Sequence, residues 1–504
     1  MTTIRLDAPL SWPDVAAVAT GTASMELSPT AWSRIEAAHA IVQSIVDRNI
    51  RGYGITTGVG ALSDVAVSQE QQAALSRNIL MSHAVGVGAP LSITETRAIM
   101  VAAINNFAHG YSGLRPVIIR HLLALLDAGG TPEVPRQGSV GYLSHIAHVH
   151  LVLIGHGYIR IGGERLRARD ALARIGLEPL ALEAKEGLCL VNGTPCVTGL
   201  ASLALSQTRQ LLDWADAIAA MTFETQRCQI RAISPQAMTV RTAPGLLRVA
   251  ERMNALLHGS DILVESAGRR VQDALSLRSI PHVHGAVHDS VETVATVVNR
   301  ELASVTDNPI VMGTPDAPEV YSQAHAVGAS MGLAMDQLAV AIAELGAMSE
   351  RRIDRMVNPL VSGLPAFLAE DSGVASGFMI AQYTAVSLVG ENRRLAAPAS
   401  LDGGITSGLQ EDMLCHATPA ALKALDILAN LRRILAIELL AACQSYDIGG
   451  LKDQAAPRTR ALFDALRGKI AIYADDRPLG EDIEAAADFL GGRSVDDILT
   501  AAGF

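Results

Sequence analysis

The stretch Pro419–Ile448, "PAALKALDILANLRRILAIELLAACQSYDI", decides the fold class. It holds no glycine and, after Pro419, no proline. Apolar residues cover a broad face, and the run is longer than the usual globular helix. A second such stretch, "SMGLAMDQLAVAIAELGAMSERRIDRMV", covers Ser330–Val357 and is interrupted only by Gly332 and Gly346. A third helix is expected over Thr208–Gln226, "TRQLLDWADAIAAMTFETQ". Helices of this kind bury themselves against each other, or against copies of themselves.

Strand signals are few. "GYIRIGGERLRA", Gly157–Ala168, alternates and turns at Gly162-Gly163, which predicts a small hairpin. The chain is therefore expected to be mainly α. Boundaries are placed near residues 200 and 450. They divide a smaller, mixed N-terminal domain (1–200), a central long-helix bundle (201–450) and a C-terminal helical segment (451–504).

Composition narrows the function classes. Of 504 residues, 49% are hydrophobic and 4% aromatic, so Ala, Leu, Val and Ile must fill the core. A formal net charge of -11 argues against nucleic acid, whose phosphates need clustered Lys and Arg. No run of eighteen apolar residues occurs, so no membrane span is expected. The start, "MTTIRLDAPLSW", does not read as a secretory signal. Cys189, Cys196, Cys228, Cys415 and Cys443 are odd in number and contain no CxxC pair. They read as free thiols of a reducing cytoplasm.

Chemistry-bearing residues are scattered. Tyr53 sits in "RGYGITTGVG", a glycine-punctuated loop that could close over a site, or simply anchor itself by its ring. His83 lies in "SHAVGVG", and Asn192 opens an Asn-Gly turn in "KEGLCLVNGTP". Gln272, Asp273 and Arg278 fall in "VQDALSLR", and Glu411 in "TSGLQEDMLC". Together they supply a phenol, an imidazole, amide donors, a carboxylate and an arginine clamp.

"GSVGYLSHIAHVH", Gly138–His150, puts Tyr142 after a tight turn and three histidines behind it. His145 and His148 share a helix face if the segment is helical, whereas His150 points elsewhere. His282 and His284 share a side if extended. Such pairs suit pocket imidazoles, hydrogen-bonded core histidines or a metal site. No established metal-ligand spacing is present, and no metal is assigned.

These segments carry a resemblance to the histidine and phenylalanine ammonia-lyase family. "YGITTGVG", "SHAVGVG", "GYSGLRP", "PRQGSVG", "KEGLCLVNGTP", "VQDALSLR", "SVTDNPIV", "SERRIDRMVNP", "ENRRL" and "TSGLQEDM" occur in family order, and the resemblance spans roughly Gly52 to Asp447. The resemblance implies an ammonia-lyase/fumarase-like fold and a homotetramer with a shared helix bundle. It also implies active sites built from several subunits and a small aromatic or imidazole amino-acid substrate.

The family makes its electrophile, a methylidene-imidazolone, from an Ala-Ser-Gly tripeptide. Here that place holds Tyr142-Leu143-Ser144, followed by His145 instead of the family's Asp. Leu275 stands at a family tyrosine, His325 at a family asparagine and Ala329 at a family glutamate. The expectation is a carbon–nitrogen lyase without cofactor, similar to ergothionase, that expels an amine needing no activation. Trimethylamine from ergothioneine or hercynine is the leading example. By analogy Tyr53 takes the β-proton, Arg278 holds the carboxylate, and Asn192 and Gln272 orient the substrate. His83 and Glu411 sit at its imidazole end. Tyr142 offers its ring to a cationic nitrogen, and His145, His282 and His325 are further pocket imidazoles. The alternatives are another elimination, addition or isomerisation, with or without a metal, and an inactive ligand-binding homologue.

Overall fold

A computed structural model describes residues 2–401 and 403–504 of the protein. The decisive stretch lies in one helix of 33 residues, Ala417–Gly449. Every residue from Ile434 to Tyr446 is buried, the condition of a helix that is apolar on all sides. Glu438 is the one charged residue in that stretch. Its carboxylate accepts from Arg352 Nε at 2.6 Å and Nη2 at 2.9 Å, Ser349 Oγ at 2.6 Å and Thr222 Oγ1 at 2.8 Å. A buried charge is tolerable only with partners of this kind.

Three more long helices are Pro195–Thr225, Ile280–Leu302 and Ala329–Val357. The first begins well before the expected Thr208, because Pro195 follows the Asn192-Gly193 turn and is preorganised for a first helical turn. Ala329–Val357 is long and apolar enough to cross a membrane, but 61% of its most apolar window is buried, as in a core helix. The mainly α class expected from the sequence is the one the chain adopts.

Two compact units divide the chain. The first comprises Met1–Ser206, Ala295–Asp336 and Pro398–Leu422. It contains every strand among the described residues: the parallel pair Thr2–Leu6 and Ala23–Leu27, and three small antiparallel sheets. The expected hairpin is present, with Tyr158–Ile161 paired to Glu164–Arg167. Its Ile93–Ala108 helix starts on a reciprocal cap. Ser92 Oγ accepts from Glu95 N at 3.2 Å, and Glu95 Oε2 accepts from Ser92 N at 2.7 Å. The second unit comprises Gln207–Val294, Gln337–Ala397 and Lys423–Phe504, and is helical among the described residues.

Candidate active site

Four of the candidate residues gather in the first unit. Tyr53 lies on a turn braced by Thr56, whose Oγ1 accepts from Gly52 N and donates to Ile50 O, both at 2.9 Å. Its phenol oxygen accepts the Gly60 N–H at 2.9 Å. Gly60 has φ +57, and a Cβ there would stand 2.5 Å from Ser407 Oγ. Glycine thus lets the Tyr53 loop lie against the loop that carries Glu411.

Glu411 is half-buried and held locally. Thr406 Oγ1 donates to its Oε2 at 3.0 Å, and the two backbones exchange hydrogen bonds at 2.9 and 3.3 Å. The turn between them has positive φ at Ser407, Gly408 and Leu409, a strained arrangement of the sort found at functional sites. His83 ends the Gln72–His83 helix, and its Nδ1 donates to Ile79 O at 2.7 Å. That bond leaves Nε2 as an acceptor in the neutral ring. Burial lowers the His83 pKa, while the Ile79 carbonyl and the Glu411 charge oppose it.

Tyr142 is buried at 6% exposure. Burial pushes its phenol well above the ordinary value, and the Glu411 charge, Cys415 and a hydrogen bond to Glu411 act in the same direction. Tyr142 therefore lies near Glu411, and both burial and the carboxylate's charge favour its neutral form. The loop before Tyr142 is clamped by the segment after Glu411. His416 N donates to Val140 O at 2.8 Å and Thr418 Oγ1 to Gly141 O at 3.1 Å. His416 carries φ +45, and its Nε2 is buried without a partner. Sequence reading missed this clamp, because nothing in "CHAT" marks contact with a loop far away in the chain.

The histidines separate. Ser144–Leu151 is a helix, as the i,i+3 reading required. His145, 1% exposed, points Nε2 at Arg136 O at 2.9 Å, and burial lowers its pKa. His148 Nε2 accepts Gly86 N–H at 2.9 Å; burial, then His145, push it down to about 4. His150 is fully buried, with Nδ1 bonded to Leu190 O at 2.7 Å. His282 and His284 do not share a side, because Ile280–Leu302 is helical rather than extended. His282 is exposed, and His284 is buried on Asp216 at 2.8 Å. Among the described residues no group of three or more His, Cys, Asp or Glu could hold a metal.

Asn192 commits its Nδ2 to Asn308 O at 2.6 Å and its Oδ1 to Gly193 N at 3.0 Å. It anchors the Asp307-Asn308-Pro309 turn through that bond. His325 is exposed, its backbone N bonded to Gln323 Oε1 at 2.7 Å. Gln272, Arg278 and His282 belong to the second unit. There the Gln272 side-chain oxygen accepts from the Arg278 guanidinium at 3.0–3.1 Å. Arg278 Nη1 also donates to Asp273 O at 2.5 Å.

A family profile described as aromatic amino acid lyase matches residues 10–468. A histidine ammonia-lyase of Symbiobacterium thermophilum is 44% identical over 507 residues, covering 100% of this chain and 99% of that protein. Among solved structures, a histidine ammonia-lyase from Trypanosoma cruzi superposes with TM-score 0.92 at 34% identity, covering 100% of this chain and 96% of that one. Ergothionase from Treponema denticola, an ergothioneine-degrading enzyme, superposes with TM-score 0.91 at 26% identity, covering 99% of each chain. With a family match over most of its length and relatives of this identity, the chain belongs to the aromatic amino acid lyases, a family of carbon–nitrogen lyases.

Proposed function

We propose that the protein eliminates an amine from an imidazole-bearing α-amino acid derivative without the family's methylidene-imidazolone. The observation that carries this is the loop Tyr142-Leu143-Ser144, whose residues do not fit that group. Leu143 has no β-hydroxyl to lose as water. Ser144 brings a Cβ to the nitrogen that would close the ring. Tyr142 sets a buried phenol against Glu411 in that region.

Without an electrophile, the leaving group must depart by itself. A single acid or base contributes about 10²–10⁴-fold, too little to expel ammonia from a weakly acidic substrate. A quaternary nitrogen leaves as a neutral trialkylamine and needs neither protonation nor an adduct. Hercynine and ergothioneine are substrates of this kind, and ergothionase, with its similar fold, is named for degrading the latter. In this reading Tyr53 removes the β-proton, and the Gly60 N–H on its oxygen fixes where that oxygen sits. His83 and Glu411 bind the imidazole. The Tyr142 ring face and the Glu411 charge attract the cationic nitrogen. Arg278, supported by Gln272, holds the substrate carboxylate, and Asn192 supports the pocket wall through the Asn308 turn. His145, His282 and His325 receive no role here, given their burial or exposure.

The Arg278 pair lies in the second unit, and the family builds its sites from several subunits, so the active form is a homotetramer. Exposed apolar side chains support association: Leu333 and Val340 on one long helix, Ile380 and Tyr383 on Met379–Leu395.

A second reading, deamination of histidine itself, is favoured by the names of the relatives and by His83 and Glu411. One assay separates the two. The protein is incubated with histidine, hercynine and ergothioneine, and the conjugated acrylate is followed by ultraviolet absorbance. Product from the trimethylated substrates alone is expected. Product from histidine supports the second reading, and no product from any of them overturns both.

A further inference from the structure

We infer that His148 is a positioning residue for the candidate active site, and that its neutral imidazole holds the end of the His83 helix in place through the backbone of Gly86. The inference rests on the reading that His83 meets the imidazole ring of the substrate. His148 Nε2 accepts the Gly86 N–H at 2.9 Å, across 62 positions of chain. Because an N–H enters that nitrogen, the ring proton sits on Nδ1 and the ring is uncharged. Burial, then His145, push the His148 pKa down to about 4, so the lone pair is free to accept at neutral pH.

The path from this bond to His83 is short. His83 is the last residue of the Gln72–His83 helix, and its Nδ1 donates to Ile79 O at 2.7 Å, which ties the ring to its own last turn. Ala84 follows with φ -80 and ψ 69, an inverse γ-turn closed by Val85 N–H donating to His83 O at 2.9 Å. The next amide is that of Gly86. A Cβ on Gly86 would lie 3.2 Å from both Gln137 O and His148 Nε2, so the loop is pressed against both. Val87 then pairs with Gln137 in a short antiparallel sheet. His148 thus grips the one residue between the γ-turn that leaves the helix and the start of the sheet. It does so from the Ser144–Leu151 helix, which follows the Tyr142 loop, and so joins the element after Tyr142 to the element that presents His83.

Helix ends fray where nothing ties them down. Without an acceptor at position 148, the last turn loses its hold, and the His83 Nε2 lone pair loses its fixed direction. His148 acts through His83 rather than on the substrate, and this limits which ligands feel its removal. An imidazole ring can donate its N–H to His83 Nε2, whereas a phenyl ring of similar size has no donor to offer. His148 therefore contributes to the choice of ring and not to binding in general.

The test is calorimetric binding of two saturated acids, imidazolepropionate and 3-phenylpropionate, to the natural chain, H148A and H148Q. H148A is expected to weaken imidazolepropionate about 2- to 10-fold, the worth of one hydrogen bond, and to leave 3-phenylpropionate unchanged. H148Q carries a side-chain oxygen that can accept the Gly86 N–H, and is expected to restore the natural affinity. Hydrogen exchange at the Gly86 amide, followed by mass spectrometry, reads the bond itself: it should quicken in H148A and return toward the natural rate in H148Q. Equal weakening of both acids in H148A would mean a general loosening and would overturn the inference. So would an unchanged imidazolepropionate affinity, an unchanged Gly86 exchange rate, or failure of H148Q to restore either. A natural chain that does not bind imidazolepropionate overturns instead the assignment of His83 to the ring, and this inference with it.

Discussion

The phenol oxygen of Tyr53 accepts the backbone N–H of Gly60 at 2.9 Å, so the loop holds that oxygen in one place. An anchoring tyrosine would use the same bond, so kinetics separate the two roles. Tyr53→Phe is expected to lower kcat by about 10²–10⁴-fold, the range of one general acid or base. KM and the thermal midpoint should change little. Steady-state acrylate formation and a melting curve check this, and an unchanged kcat would return Tyr53 to the role of anchor.

Gly141 and Cys415 are in tight contact. A Cβ on Gly141 would lie 2.6 Å from Cys415 Sγ, and the glycine has φ +136. Gly141→Ala is expected to destabilise the protein by about 1–3 kcal/mol, the usual cost of overpacking. Adding Cys415→Ala should recover part of that loss, because it removes the clashing sulfur but not the backbone strain. Denaturation midpoints of the two variants measure the coupling.

His150 gives the protein an acid sensitivity of definite sign. Burial pushes its pKa from 6.5 down to about 4, while its bond to Leu190 O partly opposes the shift. The unfolded chain therefore binds this proton at a higher pH than the folded chain does. Stability from this group is complete above about pH 6.5 and is lost as pH falls toward about 4. The full loss is roughly 3 kcal/mol, from the 6.5-to-4 shift. His150→Gln, which can keep a donor to Leu190 O, should flatten the decline in melting temperature between those pH values. A slope identical to that of the natural chain would assign the acid sensitivity elsewhere.

Arg352 and Glu438 are both fully buried and doubly bonded to each other. Arg352 Nη1 also faces His284 Nε2 at 3.3 Å, and His284 bonds Asp216 at 2.8 Å. Arg352→Met would strand the Glu438 charge inside the second unit. The expected cost is about 3–5 kcal/mol, as for other buried pairs that lose one partner. Replacing both partners, Arg352→Met with Glu438→Leu, should cost much less. Chemical denaturation of the single and double variants tests this directly.

The fold class was legible in Pro419–Ile448 and Ser330–Val357 because helical periodicity and the absence of breakers are local properties. The hairpin at Gly162-Gly163 was legible for the same reason. The Thr208 boundary was not, since the residues between Pro195 and Thr208 look no more helical than their neighbours until a core closes around them. Of the candidate site, the residue types and the altered tripeptide could be read directly from the chain.

What brought Tyr53, His83, Tyr142 and Glu411 into one region was tertiary: the Gly60–Ser407 approach and the clamp from His416 and Thr418 on the Tyr142 loop. Packing within the first unit also made His145 and His150 core histidines, whereas His282, in the second unit, is exposed. A sequence names the groups that can do chemistry, and by its periodicity names the elements that carry them. Which of those groups keep a free lone pair or a free proton depends on contacts between residues far apart in the chain, and only the closed structure decides that.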